Sequence, residues 1–228
     1  MRMILAGMLL SGFFFATAAH AADTLHPTVV ELYESQGCLS CPPANAVLNT
    51  IAGRPELLAL NFGVTYWDYL GWKDSFAQPG FTQRQRDYAH AAGRDGLSTP
   101  QMIVNGRGVL VGSNAREVDA ALTRFDRGAT GPEIGIAAHR VTVAAEPRGN
   151  AIIWLVRYDP HTIDVPIRAG ENGGRTLPHR NVVRQLTEIG RWNGLAASFA
   201  LPANMPGLES AILVQAGRGG PILAARRI

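Results

Sequence analysis

The sequence predicts an α/β domain followed by a β-rich segment, on three observations. A β-branched apolar run, "TVVELYE", leads into a Cys-x-x-Cys turn and then an amphipathic helical repeat. Further on, "STPQMIVNGRGVLVGS" sets a proline, an apolar run, an Asn-Gly turn and a second apolar run ahead of another helix. Beyond "RGATGPE" the pattern changes to short β-like runs separated by Gly, Pro and Asn.

Residues 1–21, "MRMILAGMLLSGFFFATAAHA", carry Arg2, an apolar stretch from Ile4 to about Ala19, and small residues at Ala19 and Ala21 flanking His20. This is the pattern of a cleaved secretory signal. A membrane-spanning helix needs about twenty apolar residues, and this stretch is broken by Gly7, Ser11 and Gly12. The expectation is a periplasmic or secreted protein with a mature chain starting near Ala22 and no membrane span after cleavage. An uncleaved N-terminal anchor is the alternative.

"TVVELYE" reads as a short strand buried on both faces. Next come Cys38 and Cys41, the only cysteines in the 228 residues. After them Ala44, Val47, Leu48 and Ile51 recur at i, i+3, i+4 and i+7, one face of a helix whose first turn accepts Pro42 and Pro43. A disulfide across two intervening residues closes too short a loop to be a useful staple. A closed zinc site needs four ligands, and the chain has no second cysteine pair and no histidines at ligand spacing. Haem attachment requires His after the second cysteine, where Pro42 stands. Redox chemistry remains, with no metal and no cofactor expected. Strand, CxxC turn and helix form the thioredoxin arrangement, in which the first sulfur lies at the open helix N-terminus, where the dipole favours thiolate. Cys38 is the expected nucleophile and Cys41 the resolving thiol.

"LLALNF" supplies the second strand. The segment after it concentrates Tyr66, Trp67, Tyr69, Trp72, Phe76 and Phe81 ahead of a helix expected from about Thr82 to Ala92. Such aromatic density serves either as a plug under a long loop or as a peptide-contacting surface. In "STPQMIVNGRGVLVGS", Met102, Ile103 and Val104 form a strand, Asn105-Gly106 the hairpin turn, and Val109 to Val111 its partner. The following helix presents Val118, Ala121, Leu122 and Phe125 on one face, with Ser113 or Asn114 as cap. The order of these elements resembles the second half of the thioredoxin fold. That resemblance implies a cis Thr99-Pro100 bond facing the cysteines; a trans proline at a strand start is the alternative.

The expected architecture is therefore a thioredoxin-like α/β domain over residues 22–130 and a small antiparallel β-sandwich-like domain over 131–228. The block from Glu171 to Arg184, with Arg175, His179, Arg180 and Arg184 among glycines, reads as a turn carrying solvated arginines, with a partner or anion site as the other reading. With 46% apolar and 17% charged residues the chain is globular, and a net charge of +3 without a basic stripe excludes nucleic acid as the expected partner.

Longer stretches carry a closer resemblance. "VVELYESQGCLSCPPAN", "TYWDYLGWKDSFAQPGFTQRQRDYA", "STPQMIVNG" and "GENGGRTLPHRNVVRQL" resemble the blocks of a family of secreted bacterial thioredoxin-like proteins with no assigned function, with Thr65 where that family usually has Asp. "VELYESQGC" also resembles the start of disulfide isomerase domains, which implies that Glu31 is buried under the CxxC as a proton carrier for Cys41; an exposed glutamate at a strand edge is the alternative.

Taken together, the sequence points to an exported thiol-disulfide oxidoreductase acting on protein or small-molecule thiols and disulfides. Cys38, Cys41, Thr99, Pro100 and Glu31 are its expected catalytic residues, and Gln36, Tyr66, Trp67 and Trp72 its expected substrate contacts. With no second cysteine pair, a separate redox partner protein must relay electrons. A binding module that keeps the disulfide for rigidity, or a copper-handling protein using soft thiolates, are the rivals.

Overall fold

The computed structural model describes residues 21–147 and 149–228. The expected secretory signal lies outside the described residues except for Ala21. Among the described residues no helix is long and apolar enough to cross a membrane.

The first half follows the sequence pattern closely. Strand β1 (Thr28–Glu34) is buried throughout. Helix α1 (Pro42–Ile51) has Cys41 as N-cap residue and proline in its first turn, where the missing N–H is no loss. Strand β2 (Leu57–Gly63) pairs parallel with β1. A one-turn 3₁₀ segment (Asp68–Leu70) precedes α2 (Pro79–Ala91). Strands β3 (Gln101–Val104) and β4 (Gly108–Leu110) form the expected hairpin. Asn105 and Gly106 both have positive φ (47° and 65°), the turn whose twist matches that of its strands. Helix α3 (Ala115–Arg124) is capped by Asn114, whose side chain accepts from the N–H groups of Arg116 and Glu117. Two apolar layers result. Val30 and Leu32 pack with Ala44, Leu48, Met102, Val118 and Leu122 on the α1/α3 side. Val29 and Tyr33 pack with Leu60, Phe62, Phe81 and Tyr88 on the α2 side.

The second half departs from expectation. Its strands are β5 (Ile134–Ala137), β6 (Arg140–Val143), β7 (Ala151–Asp159), β8 (Ile163–Pro166), β9 (Thr176–His179), β10 (Val182–Trp192), β11 (Ala197–Ala200), β12 (Glu209–Gln215) and β13 (Ile222–Arg227). Four of them extend the first sheet instead of building a sandwich: the order is β13-β12-β7-β10-β2-β1-β3-β4. The junction is the parallel bridge Val182↔Asn61 between β10 and β2. The physical reason is the open edge of β2, whose unpaired N–H and C=O groups take a neighbour. Asn181 reinforces the join: its main-chain carbonyl accepts from Asn61 N–H at 2.9 Å and its side chain donates to the Ala59 carbonyl at 2.8 Å. Two small sheets, β11-β6-β5 and β8-β9, complete the molecule.

Candidate active site

Cys38 and Cys41 form a disulfide. The turn carrying them is built from local bonds: Cys38 N–H donates to the Ser35 carbonyl at 3.1 Å and Cys41 N–H to the Cys38 carbonyl at 3.2 Å. Both cysteines are only 1% exposed, whereas Leu39 between them is 59% exposed. Tyr69, of the neighbouring segment, is likewise exposed.

The Thr99-Pro100 bond is cis, as expected. Thr99 is joined to Cys38 directly. Its hydroxyl donates to Cys38 Sγ at 3.3 Å and accepts from Trp67 Nε1–H at 2.6 Å. Ser40 Oγ lies 3.4 Å from the same sulfur. An indole N–H feeding a hydroxyl that feeds a sulfur is a polarised chain aimed at negative charge on Cys38. The sulfur also sits in the turn that opens α1, at the positive end of the helix dipole.

The expected substrate contacts turn out to be largely occupied. Gln36 is fully buried: its side-chain carbonyl accepts from Trp72 Nε1–H at 2.9 Å, and its main-chain N–H donates to Asp74 at 2.8 Å. Tyr66 and Trp67 are half-buried against the α2-side core and Trp72 against a smaller apolar cluster. The aromatic segment is therefore mainly a plug that positions Thr99 and Gln36, with Tyr69 as its exposed element.

Glu31 is buried, but not as a free carboxylate beneath the cysteines. Arg84 Nε and Nη2 donate to its two oxygens at 2.9 and 2.8 Å, and the Tyr33 and Tyr88 hydroxyls donate at 2.6 and 3.0 Å. Residues 31 and 33 share the α2 face of β1, away from α1. Among the described residues no hydrogen bond links Glu31 to either cysteine. The proton-carrier expectation therefore has no contact to rest on, and the reason is the alternation of side chains along a strand.

Of the buried titratable groups nearer the turn, only His179 is named from the sequence, as part of the Glu171–Arg184 block and not as a site residue. Glu34, at the end of β1 and on the α1 face, lies 3.2 Å from Nε2 of His179, with His179 fully buried. Their alignment is not that of a hydrogen bond. His179 Nδ1 meets the Leu177 carbonyl at 3.0 Å, so its two nitrogens face acceptors. Burial opposes a charged His179, but the Glu34 carboxylate and then Asp74 outweigh it and hold the imidazole above its ordinary pKa. Burial, then repulsion from Glu34, pushes the Asp74 carboxyl up to about 6. Strand β9 brings His179 into place, so the Glu171–Arg184 block is not a solvated turn: it walls the site. From the same block, Asn172 Nδ2 donates to the carbonyls of Gln36 and Cys38 at 3.0 and 2.8 Å, and Glu171 accepts from Leu39 N–H at 2.9 Å. The clustering of polar residues in that block was the available signal; its placement required the tertiary fold. Among the described residues no group of His, Cys, Asp and Glu is arranged to hold a metal.

The model of a family described as "Protein of unknown function (DUF1223)" matches residues 29–215. No curated protein matches the chain. Among solved structures, protein AGR_C_4864 from Agrobacterium tumefaciens superimposes with a TM-score of 0.74 at 31% identity, covering 92% of this chain and 96% of that one. HBP35 of Porphyromonas gingivalis superimposes with a TM-score of 0.61 at 12% identity, covering 90% of this chain and 75% of that one. The latter likeness concerns the fold alone.

Proposed function

The chain belongs to the DUF1223 family, and we propose that it is an exported thiol-disulfide oxidoreductase working through Cys38 and Cys41. One observation carries the reading: the Trp67–Thr99–Cys38 chain of hydrogen bonds, which aims a polarised hydroxyl at the sulfur that opens α1. A disulfide kept only for rigidity has no need of donors directed at one of its two sulfurs.

In the reduced protein, Cys38 thiolate attacks a substrate disulfide. A bond forms from Cys38 Sγ to one substrate sulfur as the other leaves as thiolate. Cys41 then attacks Cys38 Sγ, restores the intramolecular disulfide and releases the second substrate thiolate. Two electrons pass from protein to substrate, and the reverse sequence oxidises a substrate dithiol. Thr99 stabilises the charge on Cys38 at the start of the first sequence and the end of the second.

The test is trapping. Cys41→Ser should retain attack and lose resolution, so mixed disulfides accumulate on Cys38; Cys38→Ser should accumulate far fewer. Non-reducing gels of exported protein give the comparison. Equal trapping by both variants would contradict the assigned roles. A reduction potential below about −300 mV, the range of structural disulfides, would favour a rigid binding module.

A further inference from the structure

The loop joining β8 to β9 lies over the CxxC turn and is built to stay there. Asn172, fully buried, divides its amide between the carbonyls of Gln36 and Cys38. Arg175 in turn donates to Asn172 Oδ1 at 2.8 Å, fixing which way that amide faces. Gly170 has a positive φ of 73°, and a Cβ there would come within 3.3 Å of the Trp72 Cβ and 3.7 Å of the Gly37 Cα. Only glycine gives both this backbone conformation and this approach. The loop carries Glu171 at its tip, and the Glu171 carboxylate accepts the Leu39 N–H at 2.9 Å.

That N–H belongs to the residue directly after Cys38, in the turn whose unpaired donors and helix dipole would otherwise favour a thiolate. In the disulfide state Cys38 carries no charge and Glu171 meets no competition. On reduction, two anions stand at the same turn. A like charge nearby disfavours ionisation, and whatever disfavours the thiolate disfavours the reduced protein. We propose that Glu171 is a tuning residue that raises the pKa of Cys38 and stabilises the Cys38–Cys41 disulfide, with Asn172 holding it in position.

The proposal rests on the oxidoreductase reading above. Other charged groups near the turn are Arg175 in the same loop, Asp74 in the aromatic segment, which accepts the Gln36 N–H, and Glu34 of β1 with His179 of β9. Helix α1 contributes no charged side chain. Of these, Glu171 is the group bonded to the CxxC backbone itself. Because Glu171 is exposed, its effect is subject to screening by salt.

The test compares wild type with Glu171→Gln in the mature chain, by equilibration with dithiothreitol and glutathione buffers and by the pH profile of Cys38 alkylation. Gln keeps an acceptor for Leu39 N–H and removes only the charge. The expected result is a Cys38 pKa lower in the variant and an exchange equilibrium shifted three- to tenfold toward the dithiol, tenfold corresponding to about 30 mV. The shift should shrink in about 1 M salt, where the Debye length is about 3 Å. Asn172→Ala, which frees the loop, should move the equilibrium in the same direction and also speed alkylation of the buried Cys38. Thermal unfolding of both variants reports whether the fold is retained. An equilibrium within twofold of wild type for Glu171→Gln, or a shift indifferent to salt, overturns the assignment while leaving the oxidoreductase reading intact. A wild-type disulfide that fails to equilibrate with either buffer sinks that reading, and the Glu171 assignment with it.

Discussion

Replacing Arg84 with Met tests whether Glu31 is a structural ion-pair partner or a proton carrier. Arg84 is 4% exposed and Glu31 1%. The guanidinium holds both Glu31 oxygens, donates to Gln215 Oε1 at 2.9 Å, and lies over the Tyr88 and Trp154 rings at 5.3 and 5.4 Å. Removing one member of a buried pair leaves an uncompensated charge and costs about 3–5 kcal/mol. For a chain of this size each kcal/mol moves Tm by about 2–4 °C, so the midpoint should fall by roughly 6–20 °C. Adding Glu31→Leu to Arg84→Met removes the buried charge and should recover part of the loss. The recovery stays incomplete because the Tyr33 and Tyr88 hydroxyls and Gln215 Oε1 lose their partner, at about 1–3 kcal/mol for each group left unsatisfied. Urea unfolding of the four variants of this cycle, with the disulfide intact, measures all of it. The reasoning fails if Glu31→Gln leaves stability unchanged and slows thiol exchange tenfold or more, because Glu31 would then be serving Cys41 and not Arg84.

The remaining expectations concern pH and the nucleophile. Asp74 and His179 both have folded pKa values above their unfolded ones, so the stability each contributes is present at low pH and lost as pH rises through the folded value. For Asp74 that window runs from about pH 4 to about pH 6, and the difference from 3.8 to about 6 corresponds to on the order of 3 kcal/mol. Denaturant midpoints should therefore fall across this window more steeply in wild type than in Asp74→Asn; equal slopes would contradict the assignment. Separately, Thr99→Val removes the hydroxyl between Trp67 and Cys38 and should raise the Cys38 pKa by about one to two units, a charge-assisted hydrogen bond being worth about 1.5–3 kcal/mol. The pH dependence of alkylation reads this out, and an unchanged profile would remove the observation on which the proposed function rests.

What the sequence made legible were features whose signal is local. "TVVELYE", the CxxC and the Ala44–Ile51 repeat fix strand, turn and helix because each pattern spans one element. Asn105-Gly106 and the Asn114 cap are likewise decided by a few neighbouring residues. The two glutamates of "VELYES" show where that legibility stops. Residues 31 and 34 lie on opposite faces of β1, and only the packing of α1 against Val30 and Leu32 determines which face looks toward the cysteines. Strand β10 was missed for a different reason. Its register shifts between Val183 and Gln185 and between Glu188 and Gly190, and each bulge reverses the inward-outward alternation that marks a strand. The runs of β5 to β8, β11 and β12 were readable one by one, whereas those of β9 and β13 were not. That β7 and β12 join the first sheet was not readable either, because it depends on a single bridge between Val182 and Asn61.

That bridge explains why the second half belongs to the site. Once β10 lies against β2, the β8–β9 hairpin is carried to the N-terminal end of α1. There the Pro178 carbonyl accepts from Asn45 and Asn49 of the helix, each at 2.8 Å, while Asn45 Oδ1 accepts from Asn61 of β2 at 3.0 Å. Helix α1 is thus bonded on its outer side to the hairpin and on its inner side to the sheet. Asn172 bonds the turn itself to the same hairpin. In a bare thioredoxin-like half this side of the turn would face water. Here a change in the charge of Cys38 is felt by Glu171, and any movement of Glu171 must be taken up by a loop that is fixed through Asn172, Gly170 and Pro178. On the Glu171 proposal, the second half therefore holds the backbone of the turn and sets the ease of ionisation of Cys38, two properties that the CxxC motif alone leaves open.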